Sequence, residues 1–102
     1  MDENKLQEMQ ILEQRLQNSL LQKQAFQMEL AETNSAMEEL EKSGDDVFKI
    51  IGQLMIKSEK SKVEEELKNK QKILEMRMSS FEKQEEIIAK QLDKLRDEIT
   101  KK

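Results

Sequence analysis

The chain contains few of the side chains that carry out chemistry in enzymes. Its 102 residues include no His, Cys, Tyr or Trp, although 39% are charged. A chain without His and Cys lacks the commonest general base, the thiolate nucleophile and the thiolate ligands of zinc sites. It also has no Gly-rich phosphate-binding loop and no Walker lysine motif. We therefore expect no enzymatic activity, metal or cofactor, and look for non-covalent binding by apolar side chains.

The apolar side chains of the first forty residues follow the spacing of a coiled-coil seam. The two rows, each with seven-residue spacing, are Met9, Leu16, Lys23, Leu30 and Met37, and Leu12, Ser19, Phe26, Thr33 and Leu40. Seven of these ten residues are apolar, which is typical of a long helix packed against another. We expect this helix to end at Gly44 in a left-handed conformation.

The second half of the chain repeats this pattern. Its two rows are Leu67, Leu74, Phe81, Ile88 and Leu95, and Gln71, Met78, Glu85, Leu92 and Ile99. We expect Ser61 to cap this helix, with Glu64 reaching back to it. Three acid–base pairs have the stabilising four-residue spacing. They are Glu64/Lys68, Glu66/Lys70 and Glu86/Lys90.

Two helices of about 40 residues joined by a short turn are expected to fold back as an antiparallel hairpin. In that arrangement Lys23 lies level with Glu85, so the polar residues of the two seams carry opposite charges. The halves also differ in charge, with a net charge of −5 for residues 1–42 and +2 for residues 57–102. Opposite charges favour two helices lying against each other, or against sister subunits.

The midpoint of the chain has a different pattern. The β-favouring runs "VFKII" and "LMIKS" flank Gly52-Gln53, which predicts two strands joined by a type II′ turn. The apolar residues of this hairpin point to both faces. They are Val47, Phe48, Ile50, Ile51, Leu54, Met55 and Ile56. Two interpretations remain open: a cap folded onto the coiled coil, or an oligomerisation edge at which hairpins from several copies close a barrel.

These elements predict a mainly α fold in one domain, residues 1–102. It is an antiparallel two-helix coiled-coil hairpin, with helices at about 3–43 and 61–101. One short β-hairpin, at about 46–58, joins them, and under the second of the two interpretations it assembles into an oligomeric β-barrel.

Three segments resemble the archaeal β-type subunits of the prefoldin family of chaperones. They are "LLQKQAFQMELAETNSAMEEL", "DDVFKIIGQLMIKSEKSKVEEEL" and "FEKQEEIIAKQLDKL". The central segment is the most specific, because it matches the family's aspartate-aromatic-Lys-x-x-Gly strand and the aliphatic second strand. The single strand–Gly–strand unit favours the β type over the longer α type. Lys83 stands where the family has Arg in its R-Q-E-E helix.

The resemblance implies a hexamer of two α and four β subunits, located in the cytoplasm. It implies an ATP-independent holdase that captures unfolded polypeptides between its arm tips and passes them to a group II chaperonin. Neither nucleic acid nor membrane is an expected partner. The barrel would use the seven apolar hairpin residues together with Gly52. The candidates for client binding at the tips are Leu6, Met9, Ile11, Leu12, Leu92, Leu95 and Ile99. Of these, Ile11 lies beside the seam, so packing of the two helices does not explain it.

Docking on the chaperonin is expected to use charged residues at the end of the second helix. The candidates are Lys94, Arg96, Lys101 and Lys102. The alternative is a solvated helix end, where cations suit the helix dipole.

Two other functions compete with the chaperone hypothesis. A structural or tethering coiled coil shares the helices but gives no reason for the midpoint hairpin. Binding to a membrane surface needs a basic amphipathic face, which neither helix shows. The chain has no run of about 18 apolar residues and no signal-peptide pattern, so we expect a cytoplasmic protein.

Overall fold

The computed structural model describes residues 3–100, which form two long helices with a β-hairpin between them. Helix α1 spans Glu3–Lys42 and helix α2 spans Lys60–Thr100. Strand β1, Val47–Ile51, pairs antiparallel with strand β2, Leu54–Ser58. The predicted fold class of two antiparallel helices joined by a short β-hairpin is confirmed.

Helix α1 ends through Ser43 and not through a left-handed glycine. The Ser43 amide donates to the carbonyls of Glu39 and Leu40 at 3.1 and 3.2 Å, and its hydroxyl donates to the Leu40 carbonyl at 2.8 Å. Between residues 3 and 100, only Gly52 has a positive φ. The prediction for Gly44 was therefore wrong, because the serine satisfies carbonyls that a left-handed glycine otherwise serves.

Helix α2 begins before Ser61, the residue that the sequence analysis predicts as its cap. The helix starts at Lys60, and the Val63 amide donates to the Glu59 carbonyl at 3.1 Å. Glu59 therefore occupies the cap position, and Ser61 lies inside the first turn. The predicted capping role of Ser61 was wrong, because β2 ends at Ser58 and the helix begins at Lys60, which leaves Glu59 as the residue before the first turn.

One compact unit is formed by the N-terminal part of α1, residues 3–26, and the C-terminal part of α2, residues 77–100. Its core contains three buried leucines, Leu12, Leu92 and Leu95, and Met9, Leu16 and Ile88 pack against them. These are seam residues of both predicted heptads. Burial of this stripe is what holds two otherwise charged helices together.

The seam of this unit contains one polar layer. Lys23 Nζ lies 3.3 Å from Glu85 Oε2 and 3.6 Å from Glu82 Oε1, and the buried Ser19 hydroxyl donates to Glu85 at 3.5 Å. The predicted pairing of Lys23 with Glu85 is confirmed. Because a half-buried charge without its partner is costly, this layer favours one register of the two helices.

The second unit, residues 27–76, contains the hairpin and the adjoining parts of both helices. Leu40, Val47 and Leu74 are its buried apolar residues, and the buried hydroxyl of Thr33 donates to the Glu29 carbonyl at 2.8 Å. Gln71 donates to Asn34 at 2.8 Å from the opposite helix.

Two of the three predicted ion pairs within α2 are confirmed. Lys68 lies 3.2 Å from Glu64, and Lys90 lies 3.4 Å from Glu86. The predicted Glu66/Lys70 pair was wrong, because each residue has a partner on another element. Lys70 pairs with Glu29 of α1 at 3.6 Å, and Glu66 pairs with Lys49 of β1.

Candidate functional site

The β-hairpin presents apolar side chains to solvent on both of its faces. The pairing of Ile50 with Met55 and of Phe48 with Lys57 puts these four residues on one face. Phe48, Ile50 and Met55 are 54%, 72% and 68% exposed. Side chains of this size are rarely exposed together on a monomer, so this face is a candidate interaction surface.

The opposite face of the hairpin is only partly covered. Val47 is buried, but Ile51, Leu54 and Ile56 remain exposed. The sheet has two strands, so each strand also has an edge with unpaired backbone donors and acceptors. Such edges template pairing with other chains. The hairpin is therefore suited to strand pairing with further copies of itself or of a related chain.

The turn and three ion or hydrogen-bond contacts position the hairpin. Gly52 has a φ of 60° and is the first of the two turn residues, which agrees with a type II′ turn. Lys49 pairs with Glu66 of α2, and Lys57 lies 3.6 Å from Asp46. The Lys60 ammonium donates to the Ser43 carbonyl at 2.9 Å. These contacts join the hairpin and its flanking loops to the adjoining helices.

The candidate client-binding residues differ widely in exposure. Leu12, Leu92 and Leu95 are buried in the core of their unit at 7%, 5% and 8% exposure. Ile11 is 53% exposed. The half-buried candidates are Leu6, Met9 and Ile99. In the closed helix pair, Ile11 is the candidate that offers the most surface to a ligand.

The candidate docking residues fall partly within the described chain. Arg96 is exposed and lies 3.8 Å from Asp93. Lys94 is exposed on the same helix. Lys101 and Lys102 lie outside the described residues.

Several exposed apolar residues on the helices were not among the predicted site residues. They are Leu20, Leu21, Met28, Ile73, Met76 and Ile87, all more than two-fifths exposed. The signal that singled out Ile11, an apolar residue outside both seam rows, also applies to them. A search of the heptad for apolar residues outside the seam finds all six.

An aromatic layer lies next to the polar layer of the seam. The ring centroids of Phe26 and Phe81 are 5.5 Å apart, and the Arg77 guanidinium lies 5.5 Å from the Phe26 ring. Such pairs add stability beyond their buried area. They position the helix faces on either side of them.

Over residues 3–100 no group of acidic side chains is arranged to hold a metal ion. Neither helix, over the same residues, has a stretch that is long and apolar enough to cross a membrane.

Comparison with known proteins identifies the family. The family model for a prefoldin subunit matches residues 3–102. The prefoldin subunit beta of Saccharolobus islandicus (strain L.S.2.15) is 40% identical over 90 residues, covering 86% of this chain and 71% of the relative. That of Thermococcus onnurineus is 40% identical over 89 residues, covering 85% and 77%.

A solved structure supports the same assignment. The crystal structure of the prefoldin beta subunit from Thermococcus strain KS-1 superposes with a TM-score of 0.87 at 37% identity, covering 94% of this chain and 86% of that one. The chain belongs to the prefoldin family. The resemblance predicted from the sequence is therefore confirmed. Members of this family are chaperone subunits and not enzymes.

Proposed function

We propose that this chain is the β-type subunit of a hexameric prefoldin with two α and four β subunits. Its hairpin pairs with hairpins of sister subunits to close a β-barrel, which covers the exposed strand edges. The observation that carries the proposal is the hairpin, where six large apolar side chains are exposed on two faces. A tethering coiled coil has no use for such a surface.

The helices are then arms that hold unfolded polypeptides. The proposed contacts are Leu6, Met9, Ile11 and Leu12 on α1, and Leu92, Leu95 and Ile99 on α2. Ile11 is available in the closed helix pair. The buried leucines become available when the terminal turns fray, since helix ends open at low free-energy cost. Several arms around one client add their weak contacts through effective concentration, so no nucleotide is needed.

The client is then passed to a group II chaperonin in the cytoplasm of an archaeal cell. Lys94, Arg96, Lys101 and Lys102 are the proposed docking residues, at the end of the second helix. Charged contacts of this kind speed encounter with an acidic partner surface and suit a transfer complex that must dissociate. Release follows from competition by the chaperonin for the same client.

The experiment that tests this function is the native mass of the complex that a tagged copy forms in its own cytosol. We expect a mass of about six subunits, with a second, longer α-type chain in the minority. The purified complex should then suppress light scattering by a chemically denatured protein without ATP. A monomer, or a dimer held by its helices, would contradict the assembly and leave the hairpin as a cap.

A further inference from the structure

Few contacts set the direction of the β-hairpin relative to the helices. The hairpin is joined to α1 through residues 43–46 and to α2 through Glu59 alone. Within residues 47–58 the only buried side chain is that of Val47, at the start of β1. Three apolar side chains farther along the same face remain exposed: Ile51, Leu54 and Ile56. Apolar burial therefore holds the base of the hairpin and not the rest of it.

The ion pair between Lys49 and Glu66 joins the middle of the hairpin to α2. Lys49 lies on the same face as Val47, and its ammonium pairs with the Glu66 carboxylate in the second turn of α2. Over residues 3–100 it is the only ion pair between a strand and a helix. Val47 and Lys49 are about 7 Å apart along the strand. Two such contacts define the direction of the hairpin, which one contact at its base does not.

The partner of Glu66 is selected by the fold and not by local spacing. Lys70 lies one helical turn after Glu66, at the spacing that stabilises ion pairs within a helix. Lys70 instead lies 3.6 Å from Glu29 of α1, which leaves the Glu66 carboxylate to Lys49. The two long-range pairs therefore connect α1, α2 and β1 inside the unit formed by residues 27–76.

The pair between Lys49 and Glu66 is open to solvent, so its effect on one chain is small. The two side chains are 40% and 55% exposed, and an exposed ion pair typically changes an equilibrium constant by about two- to fivefold. In a closed assembly, however, every copy must have its hairpin in the direction that lets the strand edges meet. The small effects on the separate copies therefore multiply.

We propose that the ion pair between Lys49 and Glu66 is a positioning contact, which holds the hairpin in the direction required for assembly. A subunit whose hairpin points elsewhere cannot pair its strands, so the apparent assembly constant falls with the competent fraction of each copy. With four β-type copies, an effect of about two- to fivefold on each copy changes the assembly constant by roughly 16-fold to several hundredfold. The pair acts through the apolar strands and needs no contact with the neighbouring subunit.

This inference rests on the proposed assembly through the hairpin and extends it. In the proposed assembly the apolar side chains and the strand edges provide the surface that sister subunits cover. The charged pair decides whether that surface is presented in a usable direction. A role is thereby assigned to Glu66, which lies on α2 outside the hairpin and was not among the predicted site residues.

The test reverses the charges of the pair singly and together, in the full chain. The single variants are Lys49→Glu and Glu66→Lys, and the double variant carries both substitutions, which restores opposite charges. The matched controls are Lys90→Glu and Glu86→Lys, because these residues form an exposed pair at 3.4 Å within α2 and their reversal changes the net charge by the same amounts. Each variant is produced together with the partner subunits of the native assembly.

Two measurements are made on every variant. Sedimentation velocity over a dilution series gives the subunit concentration at which half of the assembly has dissociated. Electron paramagnetic resonance between nitroxides at Gln53→Cys and Lys72→Cys gives the distances between the hairpin turn and α2 in the free chain. Both labelled positions are exposed, and the labels attach only there because the chain has no Cys of its own. The first measurement reports assembly and the second reports the direction of the hairpin.

We expect each single reversal to broaden the distance distribution, because the pair is then repulsive. The half-dissociation concentration should rise by about threefold to tenfold. This shift is smaller than that of the assembly constant, because subunit concentration enters the equilibrium as a high power. The double variant should return to within about twofold of the unmodified chain, and the controls should change neither quantity.

The contrary results separate the two proposals. If the unmodified chain forms no assembly, the proposed function fails and the positioning role with it. If it assembles but the double variant dissociates as easily as the single variants, only the positioning role is overturned, because Lys49 or Glu66 then acts on its own. Distance distributions that are equal in all variants would overturn it as well. So would a broadened distribution in a variant that assembles normally.

Discussion

At the scale of single residues, the two glycines of the chain have different backbone conformations. Gly52 has a φ of 60°, whereas Gly44 has no positive φ, and in both cases a Cβ would meet open space. The cost of adding a side chain is therefore set by the backbone and not by crowding. A left-handed conformation is costly for any residue with a Cβ, and an ordinary one is not.

We predict that Gly52→Ala destabilises the hairpin by about 1 kcal/mol or more. Gly44→Ala is its control and should be neutral or stabilise by up to about 1 kcal/mol, since it restricts the unfolded chain. Urea unfolding of the assembly at one fixed subunit concentration measures both. Equal effects of the two substitutions would contradict the assignment of the left-handed residue to Gly52.

At the scale of elements, the helices and the hairpin depend on different partners. The seam of residues 3–26 and 77–100 is buried within the chain, with Leu12, Leu92 and Leu95 in its core. In the hairpin, by contrast, Ile50 is 72% exposed and Ile56 is 44% exposed. In the proposed assembly, a charge in the hairpin therefore disturbs the surface that other chains bury, while the helices keep their own core.

We predict that Ile50→Asp with Ile56→Asp dissociates the assembly and leaves most of the helix content intact. The physical reason is that assembly would bury two unpaired carboxylates, which costs several kcal/mol. Leu21→Asp with Met28→Asp is the control, because it places the same charge on exposed helix positions. Analytical ultracentrifugation and circular dichroism give the result. An intact oligomer in the hairpin variant would count against the barrel.

At the scale of the whole molecule, the proposed function separates assembly from client holding along the chain. The hairpin, residues 47–58, provides the assembly surface. The candidate holding residues all lie within residues 6–12 and 92–99. The two activities should therefore be lost through different truncations and substitutions.

We predict that chains lacking residues 1–12 and 92–102 still form an assembly with the same number of subunits, but that this assembly no longer holds clients. The deletion removes the core leucines of that unit together with the other proposed client-binding residues. A shorter deletion, residues 1–5 and 100–102, is the control and should retain holding. Native mass and light scattering of a denatured protein measure the outcomes. Full holding by the longer deletion would place the client site elsewhere.

The sequence by itself determined the elements and how they pair. Heptad spacing identified both helices, because a stripe repeating every seven residues can be buried only by a second helix. Two β-favouring runs around Gly52-Gln53 identified the hairpin, because few residues other than glycine adopt the required positive φ. The pairing of Lys23 with Glu85 also followed, since a charge in a seam needs its opposite.

Only the tertiary structure decided the details that depend on competition between neighbours. Ser43 replaced Gly44 at the end of α1, and Lys70 and Glu66 took partners on other elements. Spacing along the sequence does not show whether a side chain pairs with a residue one helical turn away or with a distant residue that folding brings closer.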